Sequence, residues 1–141
     1  MFSERAHEAM EFYISVFKDG KITGTMPGPK GEPMGGTFEI LGQEIKCYDG
    51  GPHFSFSEGT SLFINAETQD EIDHYYEKLS DGGEQQPCGW LKDKFGVSWQ
   101  VVPPVLLELL NDPDRDKANR VMNAMLGMQK LDIAALEAAA A

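Results

Sequence analysis

Twice along this chain, apolar residues at helical spacing give way to short stretches that alternate apolar and polar residues between Gly- and Pro-rich breaks. No other feature of the sequence restricts the fold as much. The first helix-period segment runs from about Glu4 to Phe17, with Ala6, Ala9, Met10, Tyr13, Val16 and Phe17 on one stripe, Ser3 as N-cap and Gly20 past its end. The second opens on a capping box, Thr68 with Glu71, continues through Ile72, Tyr75, Tyr76 and Leu79, and stops at Gly82-Gly83. Between them Lys21 to Met26, Thr37 to Leu41 and Glu44 to Tyr48 read as strands, with a loop from Pro27 to Pro33 and a turn at Gly42-Gln43. Thr60 to Ala66 reads as a strand entering the second helix; Glu84 to Gln86, Cys88 to Lys92 and Val97 to Val102 follow it, with Gly96 in a turn.

This order predicts an α+β fold: two copies of strand-helix-strand-strand-strand forming one curved mixed sheet, the opening strand of the first copy missing or reduced to Met1-Phe2. Residues 1–103 then make the paired-module domain, module 1 over about 1–58 and module 2 over about 59–103. Residues 104–141 make a helical extension packed on that domain or on a partner. In it Val105 to Leu110 is a short apolar segment, and Asp112 caps a helix with Pro113 at its first position. Ala118, Val121, Met122, Met125 and Met128 follow at helical steps, and Asp132 caps the last segment. Met at that spacing is a flexible hydrophobic dock rather than a cofactor feature.

With 12 Lys plus Arg against 23 Asp plus Glu, the chain carries a formal charge of −11, the wrong sign for a phosphate backbone or an anionic bilayer. Nucleic acid and membrane are therefore excluded as expected partners. Hydrophobic residues at 41% of the 141 give enough apolar side chain for a core, so the acidity belongs to a solvated surface. No apolar run approaches a bilayer span and no secretory hydrophobic region opens the chain, so a cytoplasmic location is expected. Cys47 and Cys88 are too few and too far apart for a disulfide framework and read as core thiols.

Alternation sorts the strand faces. Leu62, Ile64 and Ala66 share one face, and Ser61, Phe63 and Asn65 the other; Val97, Trp99 and Val101 oppose Ser98, Gln100 and Val102. The mixed faces can line a cavity or simply meet solvent. Ser61, Phe63, Asn65, Ser98 and Gln100 are accordingly pocket candidates, joined by Trp90 beside the kink at Gly89 and by His53 in the loop after Gly50-Gly51-Pro52.

Several runs carry a resemblance: Glu8-Ala9-Met10-Glu11-Phe12-Tyr13, Gly50-Gly51-Pro52-His53-Phe54, the stretch from Cys88 through Trp90 and Trp99 to Pro103, and the Met-rich tail. Together they resemble the PhnB-like proteins, a family labelled 3-demethylubiquinone-9 3-methyltransferase within the glyoxalase, bleomycin-resistance and dioxygenase (vicinal oxygen chelate) superfamily. The resemblance implies paired βαβββ modules curving a sheet around a cavity. Relatives begin with a strand before the first helix, so here an open sheet edge is expected to be covered by the C-terminal helices or by a second subunit, and a homodimer is expected.

Metal-dependent members of the superfamily take His, Glu or Gln ligands from the first and last strands of each module. Carried onto this chain, those positions fall on Ser61 and Gln100, with Lys46, Cys47 and Tyr48 in the first module. That donor set is poor for a divalent cation, and neither a metal nor another cofactor is expected. His74 falls off its helix stripe and reads as surface, and His7 has no evident partner. His53 reads first as a linker histidine and otherwise as a catalytic group; a Cys47 or Cys88 thiolate activated by it is a second chemical possibility. The methyltransferase label does not suit the chain, since the Gly-rich run from Gly24 to Gly36 holds prolines and leads into no helix.

Two functions remain. One is a metal-free protein binding a small organic molecule in a concave sheet face. The other is an enzyme, a glyoxalase-like lyase, isomerase or dioxygenase whose metal site is completed at a dimer interface. The Met-rich helices leave an interaction module as a third reading.

Overall fold

Backbone contacts in the computed structural model, which describes all 141 residues, divide the chain into two compact units, Met1–Ser57 and Glu58–Ala141. In the first, α1 (Ala6–Val16) precedes β1 (Lys21–Pro27), β2 (Pro33–Ile40) and β3 (Gln43–Tyr48), which form an antiparallel sheet in the order β1-β2-β3. The buried stripe Ala6, Ala9, Met10, Tyr13 and Val16 is the one its spacing predicts, and Tyr13 stacks on Phe38 of β2 at 5.8 Å. The reduced opening strand is one parallel bridge: Phe2 donates its N–H to the Tyr48 carbonyl at 2.9 Å and accepts from Gly50 N–H at 2.7 Å.

Local signals misplace three features of this unit. The residue before α1 is Arg5, at φ 74°, and the acceptor for Ala6 N–H is Asp49 Oδ1 at 2.8 Å; Ser3 instead donates to the Phe54 carbonyl. A cap supplied from 43 residues away has no local signature. The β2–β3 turn is Leu41-Gly42, both at positive φ, one residue earlier than expected. Finally, β2 begins at Pro33 because Gly35 and Gly36 adopt φ of 131° and 152°, backbone that other residues rarely reach, and so extend the ladder to β3 through a run that reads as loop.

The second unit contains β4 (Leu62–Asn65), α2 (Gln69–Ser80), β5 (Glu84–Gln85), β6 (Trp90–Lys92) and β7 (Ser98–Val102). Its sheet has the order β4-β7-β6-β5, with β4 parallel to β7 and the other pairs antiparallel. The first strand thus pairs parallel with the last, as Phe2 does beside the end of β3, and the two units share one topology. This is the glyoxalase-like α+β arrangement, but built from two separate sheets rather than the one curved mixed sheet expected, because no strand of one unit is hydrogen-bonded to a strand of the other.

Thr68 caps α2, accepting Glu71 N–H at 3.2 Å, while the Glu71 carboxylate accepts from Glu67 N–H at 2.8 Å, one residue earlier than a standard capping box. The Tyr76 hydroxyl fastens α2 to the β5–β6 corner, 2.7 Å from the Gln86 carbonyl and 3.1 Å from that of Trp90. The expected strand from Cys88 begins only at Trp90. Pro87–Gly89 is a 3-10 turn with Cys88 left-handed at φ 62°, because Cys88 and Gly89 give their N–H groups to the carbonyls of Met128 and Gln129, both at 2.8 Å.

Three helices follow, α3 (Pro104–Leu110), α4 (Arg115–Leu126) and α5 (Ile133–Ala140), around a core of Val102, Leu106, Val121, Leu131 and Leu136. Asp114, not Asp112, caps α4, and Asp112 accepts Asp114 N–H in the turn before it; Asp132 caps α5 as expected. No helix is long and apolar enough to cross a membrane.

Candidate functional site

The register of the second sheet decides which side chains meet. Phe63 of β4 is opposite Gln100 of β7, and Gln100 is opposite Trp90 of β6. Directly paired residues project to the same face, so the three form a row across three strands. Phe63 is 46% exposed, and Trp90 and Gln100 are half-buried. Gln100 Nε2 donates to Ser61 Oγ at 2.8 Å, which draws the residue before β4 into the group.

A parallel row of polar groups runs beside it. Ser98 is opposite Lys92, and Lys92 is opposite Glu84. The Lys92 ammonium is 2.6 Å from Glu58 Oε1 and 3.4 Å from Glu84 Oε2. The hydrogen bond that Lys92 donates to Glu58 holds the Lys92 pKa above its ordinary value and that of Glu58 below its own. These groups are largely solvated, so the pairs order side chains more than they stabilise the fold. Ser98 is different. It is 1% exposed and its Oγ has no hydrogen-bond partner. An unmade hydrogen bond of that kind costs about 1–3 kcal/mol.

The other face is packed except at its edge, where Leu62 of the outermost strand β4, opposite Trp99, is exposed rather than covered by a helix. Ile64, Leu91, Trp99 and Val101 are buried, as are Ile72, Tyr76 and Leu79 of α2, the helix that packs on β6 and β7. Asp93, 2% exposed, fixes the β6–β7 turn by accepting from Phe95 N–H, Val97 N–H and Trp99 Nε1–H at 2.9, 3.0 and 2.9 Å. The mixed face is thus held on a rigid backing.

Among the residues the sequence singles out, Ser61, Phe63, Trp90, Ser98 and Gln100 come together on this face. Asn65, exposed, lies at its far end opposite Val102, which joins the core of the C-terminal helices. His53 lies in the first unit, on an exposed stretch of chain. Lys92 joins Trp90 and Gln100 there, and its parity with Trp90 along β6 is the sequence signal that places it on the same face. An open polar groove of about 420 Å³ lies elsewhere in this unit, between the end of α2 and β5, lined in part by Glu77, Asp81 and Gln85.

The reactive residue types are accounted for in other ways. Cys47 is buried, 3.8 Å from the Ala6 carbonyl, and burial pushes its thiol up to about 11. Cys88 is half-buried with its sulfur 3.7 Å from the Met125 carbonyl. His7 has a partner after all, Glu11 at 3.3 Å from Nε2, while its Nδ1 is buried without one. His74 is exposed, as its position off the stripe predicts.

A divalent metal does not fit these residues. Ser61 and Gln100 are engaged with each other, and no three His, Cys, Asp or Glu side chains are placed to share a cation. Nor does the Gly-rich run from Gly24 to Gly36 make a phosphate-binding turn: it forms part of the β1–β2 hairpin, and the next helix begins at Gln69.

The topology is that of a glyoxalase-like fold, and its second unit presents a mixed aromatic and polar sheet face. A family model described as 3-demethylubiquinone-9 3-methyltransferase matches residues 1–102, and the chain belongs to that PhnB-like family. A Bacillus cereus protein described as a 3-demethylubiquinone-9 3-methyltransferase, PhnB protein, is 34% identical, with 73% of this chain and 94% of that one covered and a TM-score of 0.67. A Pseudomonas aeruginosa protein at 21% identity, with 71% and 90% covered and a TM-score of 0.59, shares the fold. No curated protein matches the chain.

Proposed function

We propose that this chain is a cytosolic protein that binds a small organic molecule on the β4–β7–β6 face without a metal. The observation that supports it most is the row Phe63, Gln100 and Trp90, two aromatic side chains flanking an amide and left partly open on a backing that is packed except at its edge. Apolar surface with a few placed polar groups is what small-molecule sites consist of. Lewis-acid chemistry of the superfamily type has no donor set here, which favours binding over a metal-dependent lyase, isomerase or dioxygenase. The free edge of β4, with Leu62 and Phe63 both exposed, also supports a homodimer, for which light scattering would return twice the chain mass.

The two tryptophans make the test direct. Trp90 is half-buried on the proposed face, whereas Trp99 is buried on the other and bonded to Asp93. Screening small aromatic molecules by tryptophan fluorescence should find ligands that change the Trp90 emission. Trp90→Phe should abolish that response, and Phe63→Ala should weaken binding about tenfold or more. A ligand set that acts equally on wild type and both variants, or stoichiometric Zn, Ni, Mn or Fe in protein purified without chelator, would contradict the reading.

A further inference from the structure

We propose that the Ser98 hydroxyl is the polar anchor of this face, and that the molecule it takes is an uncharged, planar aromatic carrying one hydrogen-bonding oxygen or nitrogen at its edge. The inference rests on the binding reading above and narrows it to a class of ligand. Ser98 Oγ is the only side-chain oxygen or nitrogen of this unit that is buried without a partner, and alternation along β7 aims it to the same side as Gln100. Buried polar groups are normally satisfied, so an exception on a candidate binding face points to a group that arrives with the ligand.

The surroundings define the remaining chemistry. Phe63 and Trp90 stand on the strands either side of β7, roughly 10 Å apart at the usual strand spacing, a span suited to a molecule of about two fused rings. Gln100 gives one amide hydrogen to Ser61, and its Oε1 is a second acceptor two residues along from Ser98. The one cation of the face, Lys92, stands between Glu58 and Glu84, which leaves the cluster net negative on a chain of charge −11. An anionic ligand would be repelled. Ser98 is covered in the free protein, so engagement requires a neighbour to turn aside. Lys92, directly opposite it, is held by ion pairs to two exposed carboxylates, which are weak restraints.

Ligand-detected NMR titrations with 2-naphthol, naphthalene and naphthalene-2-carboxylate, on wild type and on Ser98→Ala, test the proposal. Wild type should prefer 2-naphthol to both others by about tenfold. Ser98→Ala should lose the preference for 2-naphthol over naphthalene while still binding both, and it should melt at a higher temperature because no buried hydroxyl is left unpaired. If the carboxylate binds as well as the naphthol, or Ser98→Ala keeps the wild-type preference, the anchor is wrong although the face still binds aromatics. If none of the three binds wild type, the binding reading falls with it.

Discussion

Cys47 shows how surroundings decide whether a reactive residue type is reactive. The residue is 6% exposed, and burial raises the thiol from 9.0 to about 11, with a hydrogen bond from the Gly36 backbone opposing the shift. A nucleophilic cysteine needs the reverse, a depressed pKa at an accessible sulfur, so the idea of a His53-activated thiolate has no support at this residue. The same shift makes stability depend on pH. Below pH 9 the thiol is protonated whether the chain is folded or not, and Cys47 contributes no slope. As pH climbs from 9 towards 11 the unfolded chain releases its proton while the folded chain retains it, so stability declines across that window. Lysines and tyrosines titrate there too, so the effect is read by difference: the urea midpoint of wild type should fall more steeply between pH 9 and 11 than that of Cys47→Ala. Parallel curves would show that the folded protein does not hold the proton.

At the scale of elements, the β6–β7 hairpin depends on one carboxylate. Asp93 satisfies two backbone N–H groups of its turn through Oδ1 and the Trp99 indole through Oδ2, while its own carbonyl accepts Gly96 N–H at 3.0 Å. Asn at this position keeps the shape but turns an N–H towards a donor, whichever way the amide is oriented. Bonds to a charged acceptor are lost and a buried donor is left unpaired, so Asp93→Asn should destabilise the protein by about 2–4 kcal/mol in urea unfolding, with a red shift of Trp99 emission. A loss below about 1 kcal/mol would mean that the indole and the turn find other acceptors. This hairpin also marks what sequence can reveal about an element. The Thr68 cap and the turn at Gly96 are legible because donor and acceptor lie within a few residues of each other. The Asp49 cap of α1 and the 3-10 turn at Cys88 are not, since their partners come from 43 and 40 residues away.

Over the whole molecule, hydrophobic period exposes the duplicated βαβββ order, and parity places Ser61, Phe63, Trp90, Ser98 and Gln100 on one sheet face. Period has no access to pairing partners, so although parity places Lys92 on this face, the two carboxylates that hold it are invisible in the sequence and Ser98 reads as an ordinary polar residue. The C-terminal segment carries the same lesson into stability. Beyond the 1–102 match, its helices read as an appendage, yet they share a core with Val102 of β7, and the centre of that core includes Leu131, which lies in the connection between α4 and α5. Leu131 is 0% exposed and packs under the Pro87–Gly89 turn, where a Cβ added at Gly89 would meet its Cδ1 at 3.0 Å; its carbonyl accepts from Gln69 Nε2 at 3.0 Å. Helix, turn and strand therefore converge on one side chain. Leu131→Ala removes that side chain where neighbours on several elements cannot all relax into the space, and it should cost about 2–5 kcal/mol in urea unfolding. Leu126→Ala, at a position 59% exposed only five residues earlier, should change stability by about 0.5 kcal/mol or less. Similar losses at the two positions would mean that the C-terminal helices are an outer layer and not part of the second unit's core.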